Sequence, residues 1–205
     1  MIRLWDNALG RVIREFLADT NGITGVALST DGGRLAAASA DGRVRFWNTS
    51  DGQLVGEVTA HPGGTMCLTF GLGGQALATG GRDGVVRLWD VARFKELKRF
   101  IGHRGPVTAI ALSSRGDRLA SGGEDTIVRI WDTVGGEEQA RLRGHTGTVT
   151  ALAFGLGARQ LASGGWDRSA RIWEVATGQS RELTGLGGGV RAVAFTPDGA
   201  ELIIG

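Results

Sequence analysis

The chain is poor in the residues that most often do chemistry. Its 205 residues include one cysteine, Cys67, so no disulfide can form within it. Histidine occurs only at His61, His103 and His145, and no serine has a spare imidazole with which to build a triad. Prolines number 3 against 36 glycines, which fits many tight turns rather than disorder. Lysine stands only at Lys95 and Lys98, and a net charge of +2 is too small to argue for nucleic acid. No apolar run approaches the roughly 20 residues of a membrane span. Met1 leads straight into a strand-like segment, so no signal peptide is read. A cytoplasmic protein with neither a membrane nor a nucleic-acid partner is expected. No segment keeps helical periodicity over a dozen residues, which excludes an α/β fold.

What the chain does have is repetition. Trp5, Trp47, Trp89, Trp131 and Trp173 stand 42 residues apart, closing the pentapeptides IRLWD, VRFWN, VRLWD, VRIWD and ARIWE. A period of that size marks one supersecondary unit copied along the chain. In one copy, Val107 to Ser113 alternates large and small residues, and Arg115-Gly116-Asp117 breaks it. RLASGG then begins a second run, Gly122 to Asp125 turns, and Thr126 to Asp132 is dense in β-branched residues. After Val134-Gly135-Gly136, a more polar fourth run covers Gln139 to Gly144. Four short strands per repeat predict an all-β fold, the four-stranded antiparallel blades of a β-propeller.

These residues resemble the WD-repeat family, whose repeats carry Gly-His near the start and Trp-Asp near the end. Gly102-His103 runs to Trp131-Asp132, and Gly144-His145 runs to Trp173-Glu174. The resemblance covers essentially the whole chain. It implies a hydrogen-bonded His, Ser or Thr, Asp and Trp set in each blade: His61, Thr79, Asp83 and Trp89; His103, Ser121, Asp125 and Trp131; His145, Ser163, Asp167 and Trp173. A buried indole N–H needs an acceptor, and an imidazole between hydroxyl and carboxylate satisfies groups costly to bury alone. The preceding repeat has Asp19 at the His position and Ala37 at the hydroxyl position, keeping only Asp41 and Trp47, so a weaker network is expected there. The final repeat has Gly185-Leu186 in place of Gly-His.

The strand count adds up to five blades' worth within one domain, 1–205. The last two strands of a blade lie at the N-terminus (Ile2 to Trp5, Val12 to Leu17), followed by four full blades. The first two strands of a blade close the chain (Val190 to Phe195, Glu201 to Ile204). Joined, the two ends would complete a fifth blade and remove the free sheet edges. The alternative is a stretch of a longer array, since rings of the family usually have more blades. A closed ring predicts a monomer. An open one predicts an oligomer or part of a larger chain.

Candidates for chemistry fall back into the repeat. Each histidine sits at the same place in a different blade and cannot easily converge with the others on one metal. Asp83, Asp125 and Asp167 are likewise repeat positions rather than paired catalytic carboxylates. Arg3, Arg45, Arg87, Arg129 and Arg171 lie two before each Trp, packed or salt-bridged against neighbours. Gly71 to Gly74 and Gly185 to Gly189 lack the Lys-Ser/Thr of a phosphate loop and precede strands. Cys67 aligns with Ala109 and Ala151 as a buried space-filler. No metal or cofactor is expected.

The resemblance implies that partners dock around the central channel, through the residue before the turn aspartate and those opening the first strand. Those positions hold Ala40, Arg82, Glu124 and Trp166, and Thr24, Met66, Thr108, Thr150 and Arg191. Trp166, Arg82, Glu124, Arg191 and Met66 vary between repeats and form the expected partner-binding set, with Trp166 the one tryptophan off register. The expected function is a non-enzymatic scaffold for a protein or peptide partner. The alternatives are a regulatory or sensor segment of a larger signalling protein and, with less support, a propeller enzyme.

Overall fold

The computed structural model describes residues 1–18 and 22–205. Among them, strands pair into six antiparallel sheets, four of four strands and two of two. The first sheet is β1 (Ile2–Asp6) and β2 (Arg11–Phe16). The first full blade holds β3 (Ile23–Leu28), β4 (Arg34–Ser39), β5 (Arg43–Asn48) and β6 (Leu54–Thr59). The second holds β7 (Thr65–Gly71), β8 (Ala76–Gly81), β9 (Val85–Asp90) and β10 (Lys95–Ile101). The third is β11 (Val107–Leu112), β12 (Arg118–Gly123), β13 (Val128–Asp132) and β14 (Glu138–Leu142). The fourth is β15 (Val149–Phe154), β16 (Gln160–Gly165), β17 (Ala170–Glu174) and β18 (Ser180–Leu183). The last sheet is β19 (Val193–Phe195) and β20 (Leu202–Ile204).

The second and third strands of each full blade are buried almost end to end, as β8 and β9 are, because neighbouring blades cover both their faces. The fourth strands keep exposed residues, as expected at an outer edge. Between blades, an indole of one meets aliphatic and aromatic side chains of the blade before it. Trp89 and Leu77 close on Phe46, Val44 and Val58, and Trp173 and Leu161 close on Ile130 and Leu142. Truncating one such buried indole costs about 3–5 kcal/mol.

One turn recurs between the second and third strands. Its aspartate accepts a backbone N–H two residues on, Arg43 to Asp41 at 2.9 Å and Val85 to Asp83 at 3.2 Å, so the side chain shapes the loop it sits in. The turn also carries a left-handed residue. That is Gly42 in the first blade, where an added Cβ would fall 2.0 Å from the carbonyl oxygen of His61 in the next blade, so only glycine fits. Thr126 and Arg168 hold the same conformation in the third and fourth blades.

A second recurring feature is a bulge at the start of each first strand. Pairing jumps from Thr65↔Gly81 to Cys67↔Gly80, and from Val107↔Gly123 to Ala109↔Gly122, leaving Met66 and Thr108 as the extra residues. Thr24 and Thr150 are skipped in the same way. At the last sheet, the amides of Arg191 and Ala192 both donate to the Gly205 carbonyl, at 2.7 and 3.0 Å. A bulge of this kind turns its side chain out of the regular alternation.

The expected closure of a fifth blade by both ends is not what the structure shows. The β1–β2 and β19–β20 sheets are separate, with no ladder between them. Trp5 is accordingly 53% exposed, whereas Trp47, Trp89, Trp131 and Trp173 are buried.

Candidate docking face

Three blades contain the same polar chain. In the third, Trp131 Nε1 donates to Ser121 Oγ at 2.8 Å, His103 Nε2 lies 2.8 Å from that oxygen, and His103 Nδ1 lies 2.9 Å from Asp125 Oδ1. The carboxylate can only accept, so Nδ1 carries the proton and Nε2 accepts from the serine hydroxyl. The fourth blade repeats this with His145, Ser163, Asp167 and Trp173 at 2.7–2.8 Å. In the second blade, Thr79 Oγ1 lies 2.8 Å from His61 Nε2 and accepts from Trp89 Nε1 at 2.9 Å, while Asp83 lies 2.9 Å from His61 Nδ1.

Burial lowers the pKa of all three imidazoles below its ordinary value, and their aspartates only partly offset this. The nearby guanidiniums of Arg87, Arg129 and Arg171 push the same way. Burial works against the charge on Asp167, but bonds from the Thr146 amide, His145 and Ser169 outweigh it and hold the carboxyl at about 2. These residues are therefore neutral imidazoles and ionised carboxylates, all engaged within their own blades.

In the first blade, the Asp19 position lies outside the described residues. Among the described residues, its turn aspartate has a different set of partners. In the three blades with histidine, the second strand ends in Gly81, Gly123 or Gly165, and at Gly81 an added Cβ would fall 2.2 Å from His61 Cγ. The first blade has Ser39 there. Its hydroxyl donates to Asp41, which also accepts from the Arg43 amide at 2.9 Å and pairs with Arg45 at 3.5 Å. Burial opposes the charge on Asp41, yet these partners hold its pKa below the usual carboxylate value.

The arginine two before each tryptophan pairs with a glutamate of the fourth strand: Arg45 with Glu57 at 2.6 Å, Arg87 with Glu96 at 3.2 Å, Arg129 with Glu138 at 2.7 Å, and Arg171 with Glu182. Arg3 and Glu15 make the same pair at 2.8 Å in the two-stranded first sheet. The glutamate spacing varies from 9 to 12 residues because Glu15, Glu57 and Glu182 stand directly opposite their arginines, whereas in the second and third blades Arg99 and Arg141 hold that place and the glutamate lies opposite the tryptophan, which hides the pairing in the sequence.

The bulge threonines also escaped the sequence reading. Thr24 Oγ1 donates to the Thr65 carbonyl at 2.6 Å, Thr108 to Val149 at 2.5 Å, and Thr150 to Val190, each reaching the next blade. Met66 has no hydroxyl. The Cys67 thiol takes over, 3.6 Å from the Val107 carbonyl, and burial pushes its pKa up to about 12.

The residues before the turn aspartate lie at the same end of each blade as these bulges. Ala40, Arg82 and Glu124 are exposed, and Met66 is partly buried. Trp166 is 50% exposed. One face of its indole rests on the backbone at Gly189, where an added Cβ would fall 2.2 Å from the ring, and the Arg191 guanidinium sits 5.1 Å from its centroid. Trp166 and Arg191 are thus brought together across two sheets. Among the described residues, no group of three His, Cys, Asp or Glu side chains could hold a metal, and no helix is long and apolar enough to cross a membrane.

A family model described as WD domain, G-beta repeat, matches residues 10–48, 52–90, 94–132 and 136–174. Each match begins before a fourth strand and ends with the third strand of the following blade, so one sequence repeat spans two sheets. No curated protein matches the chain.

Proposed function

The chain belongs to the WD-repeat family, and from that premise we propose that it is a non-enzymatic scaffold. It takes a protein or peptide partner on the face bearing Trp166, Arg191, Arg82, Glu124 and Met66. Repeats of this family generally mediate protein–protein interaction. One observation carries the choice of face: Trp166 is half-exposed and stacked under Arg191 at a position where the other blades place Ala40, Arg82 and Glu124. The blade does not need an indole there. A rigid aromatic beside a guanidinium is the kind of pair that anchors interfaces.

The same reading assigns the buried histidines and aspartates to stability rather than catalysis, since each is bonded inside its blade. A cytoplasmic setting is part of the same proposal. Affinity capture with the wild-type chain and with Trp166→Ala, quantified by mass spectrometry, tests the proposal. A partner lost from the variant supports it, and identical captured sets refute it.

A further inference from the structure

At the turns of the docking face, exposed charge is of one sign except at Glu124. Arg82 precedes the turn aspartate of the second blade, Arg104 follows His103, Arg168 follows Asp167, and Arg191 opens the last sheet. All four are exposed, and among the described residues none of them pairs with a carboxylate. The turn aspartates do not neutralise them. The side chains of Asp41, Asp83, Asp125 and Asp167 are at most 19% exposed, and arginine, histidine or amide donors hold them inside their blades. A chain with a net charge of only +2 thus sets four unpaired guanidiniums against one exposed carboxylate at one end of its blades.

Folding sorts these arginines into two groups. A Cβ added at Gly84 would fall 3.0 Å from the Gly105 carbonyl oxygen and 3.1 Å from that of His103, so the turn after Arg82 abuts the loop that carries Arg104. In the fourth blade Arg168 stands at the counterpart of Gly84, two residues after Trp166, whose ring centroid lies 5.1 Å from the Arg191 guanidinium. Glu124 belongs to the third blade, between the two groups. At φ +63° Arg168 holds the left-handed backbone that the first and second blades give to Gly42 and Gly84. Glycine would take that backbone freely, so the arginine is kept against backbone preference.

Resting on the choice of docking face made above, we propose that the partner presents an acidic peptide segment. Its carboxylates pair with Arg82 and Arg104 at one seam and with Arg168 and Arg191 at the other, and an apolar side chain lies against the exposed half of the Trp166 indole. Guanidiniums grip carboxylates through paired N–H donors, and arginine and tryptophan are both enriched at interfaces. Glu124 repels a uniformly anionic strand such as a nucleic-acid backbone, which favours a peptide whose charges are spaced.

Selection of a displayed library of random short peptides on the full chain reads the preference without assuming it. Sequences rich in Asp and Glu around an apolar residue are expected, and their binding should weaken as ionic strength rises. Arg168→Gly and Arg191→Gln should each weaken a selected peptide by about threefold or more, and together by about tenfold or more. Glu124→Gln should tighten it by about twofold. Arg168→Gly is expected to melt no lower than the wild type, so its loss of binding is not a loss of fold. Failure to enrich acidic sequences, or a short thymidine oligonucleotide bound as tightly as the selected peptides, overturns the proposal. Neutral or basic sequences whose binding still needs Trp166 would leave the docking face standing with a different partner. Binding of acidic sequences that no substitution on this face moves would remove the face as well.

Discussion

The hydroxyl of Ser39 donates to the carboxylate of Asp41, doing in the first blade what the imidazole of His61 does for Asp83 in the second. The exchange is steric. Glycine is needed at position 81 because the imidazole fills the space of a side chain, and where the described blade has no such ring at that point a serine occupies the space. Gly81→Ala is expected to destabilise by about 3 kcal/mol or more, because the new methyl meets the ring and no void can take it up. Ser39→Gly should cost only about 1 kcal/mol, the usual worth of a hydrogen bond. Thermal unfolding of the two variants checks the ordering, and equal losses would remove the exchange.

Asp125→Ala is expected to cost about 1–3 kcal/mol, since it leaves His103 and the Arg104 and Ile127 amides without their acceptor. Asp41→Ala should cost less, because the Asp41 side chain is 19% exposed against 8% for Asp125, and water can replace part of what is lost. Denaturant titrations of both variants measure the difference.

Stability should fall on acidification in two windows. The folded imidazoles have pKa values below the ordinary 6.5, so from about pH 6.5 downward the unfolded chain binds protons that the folded chain refuses. Each such proton lowers stability by up to about 1.4 kcal/mol per pH unit. Asp167, held at about 2 against an ordinary 3.8, contributes stability that is present above pH 3.8 and lost as the pH falls towards 2. Unfolding free energies between pH 7.5 and 5 report the first window, and His103→Gln should flatten the slope. A profile flat over that range would contradict neutral buried histidines.

The bulge threonines should act as clamps between blades. Thr108→Val keeps the shape but leaves the Val149 carbonyl without its donor, and a loss of about 1 kcal/mol is expected. Met66→Thr supplies a hydroxyl at the one full-blade bulge that lacks it, and should be neutral or mildly stabilising. Chemical denaturation of the pair distinguishes a clamp from a passive surface residue.

Trp166→Ala should reduce affinity for the partner by about 1–2 kcal/mol, roughly tenfold, while changing stability by about 0.5 kcal/mol or less. Binding and melting measured on one preparation separate the two effects. Lost stability with unchanged binding would identify the indole as a cover for Gly189 and place the docking surface elsewhere.

The period of the tryptophans, the glycine and aspartate turns and the alternation within Val107 to Ser113 were enough to read strands, blades and the residues of the polar network, because these depend on positions that recur in register. Local signals sufficed: a β-branched run makes a strand and an Asp-Gly pair makes a turn wherever they stand. What the repeat could not reveal was how one unit meets another. The Arg–Glu pairs draw their glutamate from different positions of the fourth strand, the threonine clamps depend on a bulge that redirects a side chain, and Ser39 substitutes for a ring through shared space rather than shared spacing. The separation of β1–β2 from β19–β20 is of the same kind. Counting strands makes the halves of a blade equal, but whether they meet within one chain depends on the angle accumulated over successive packed interfaces, which only the assembled side chains decide.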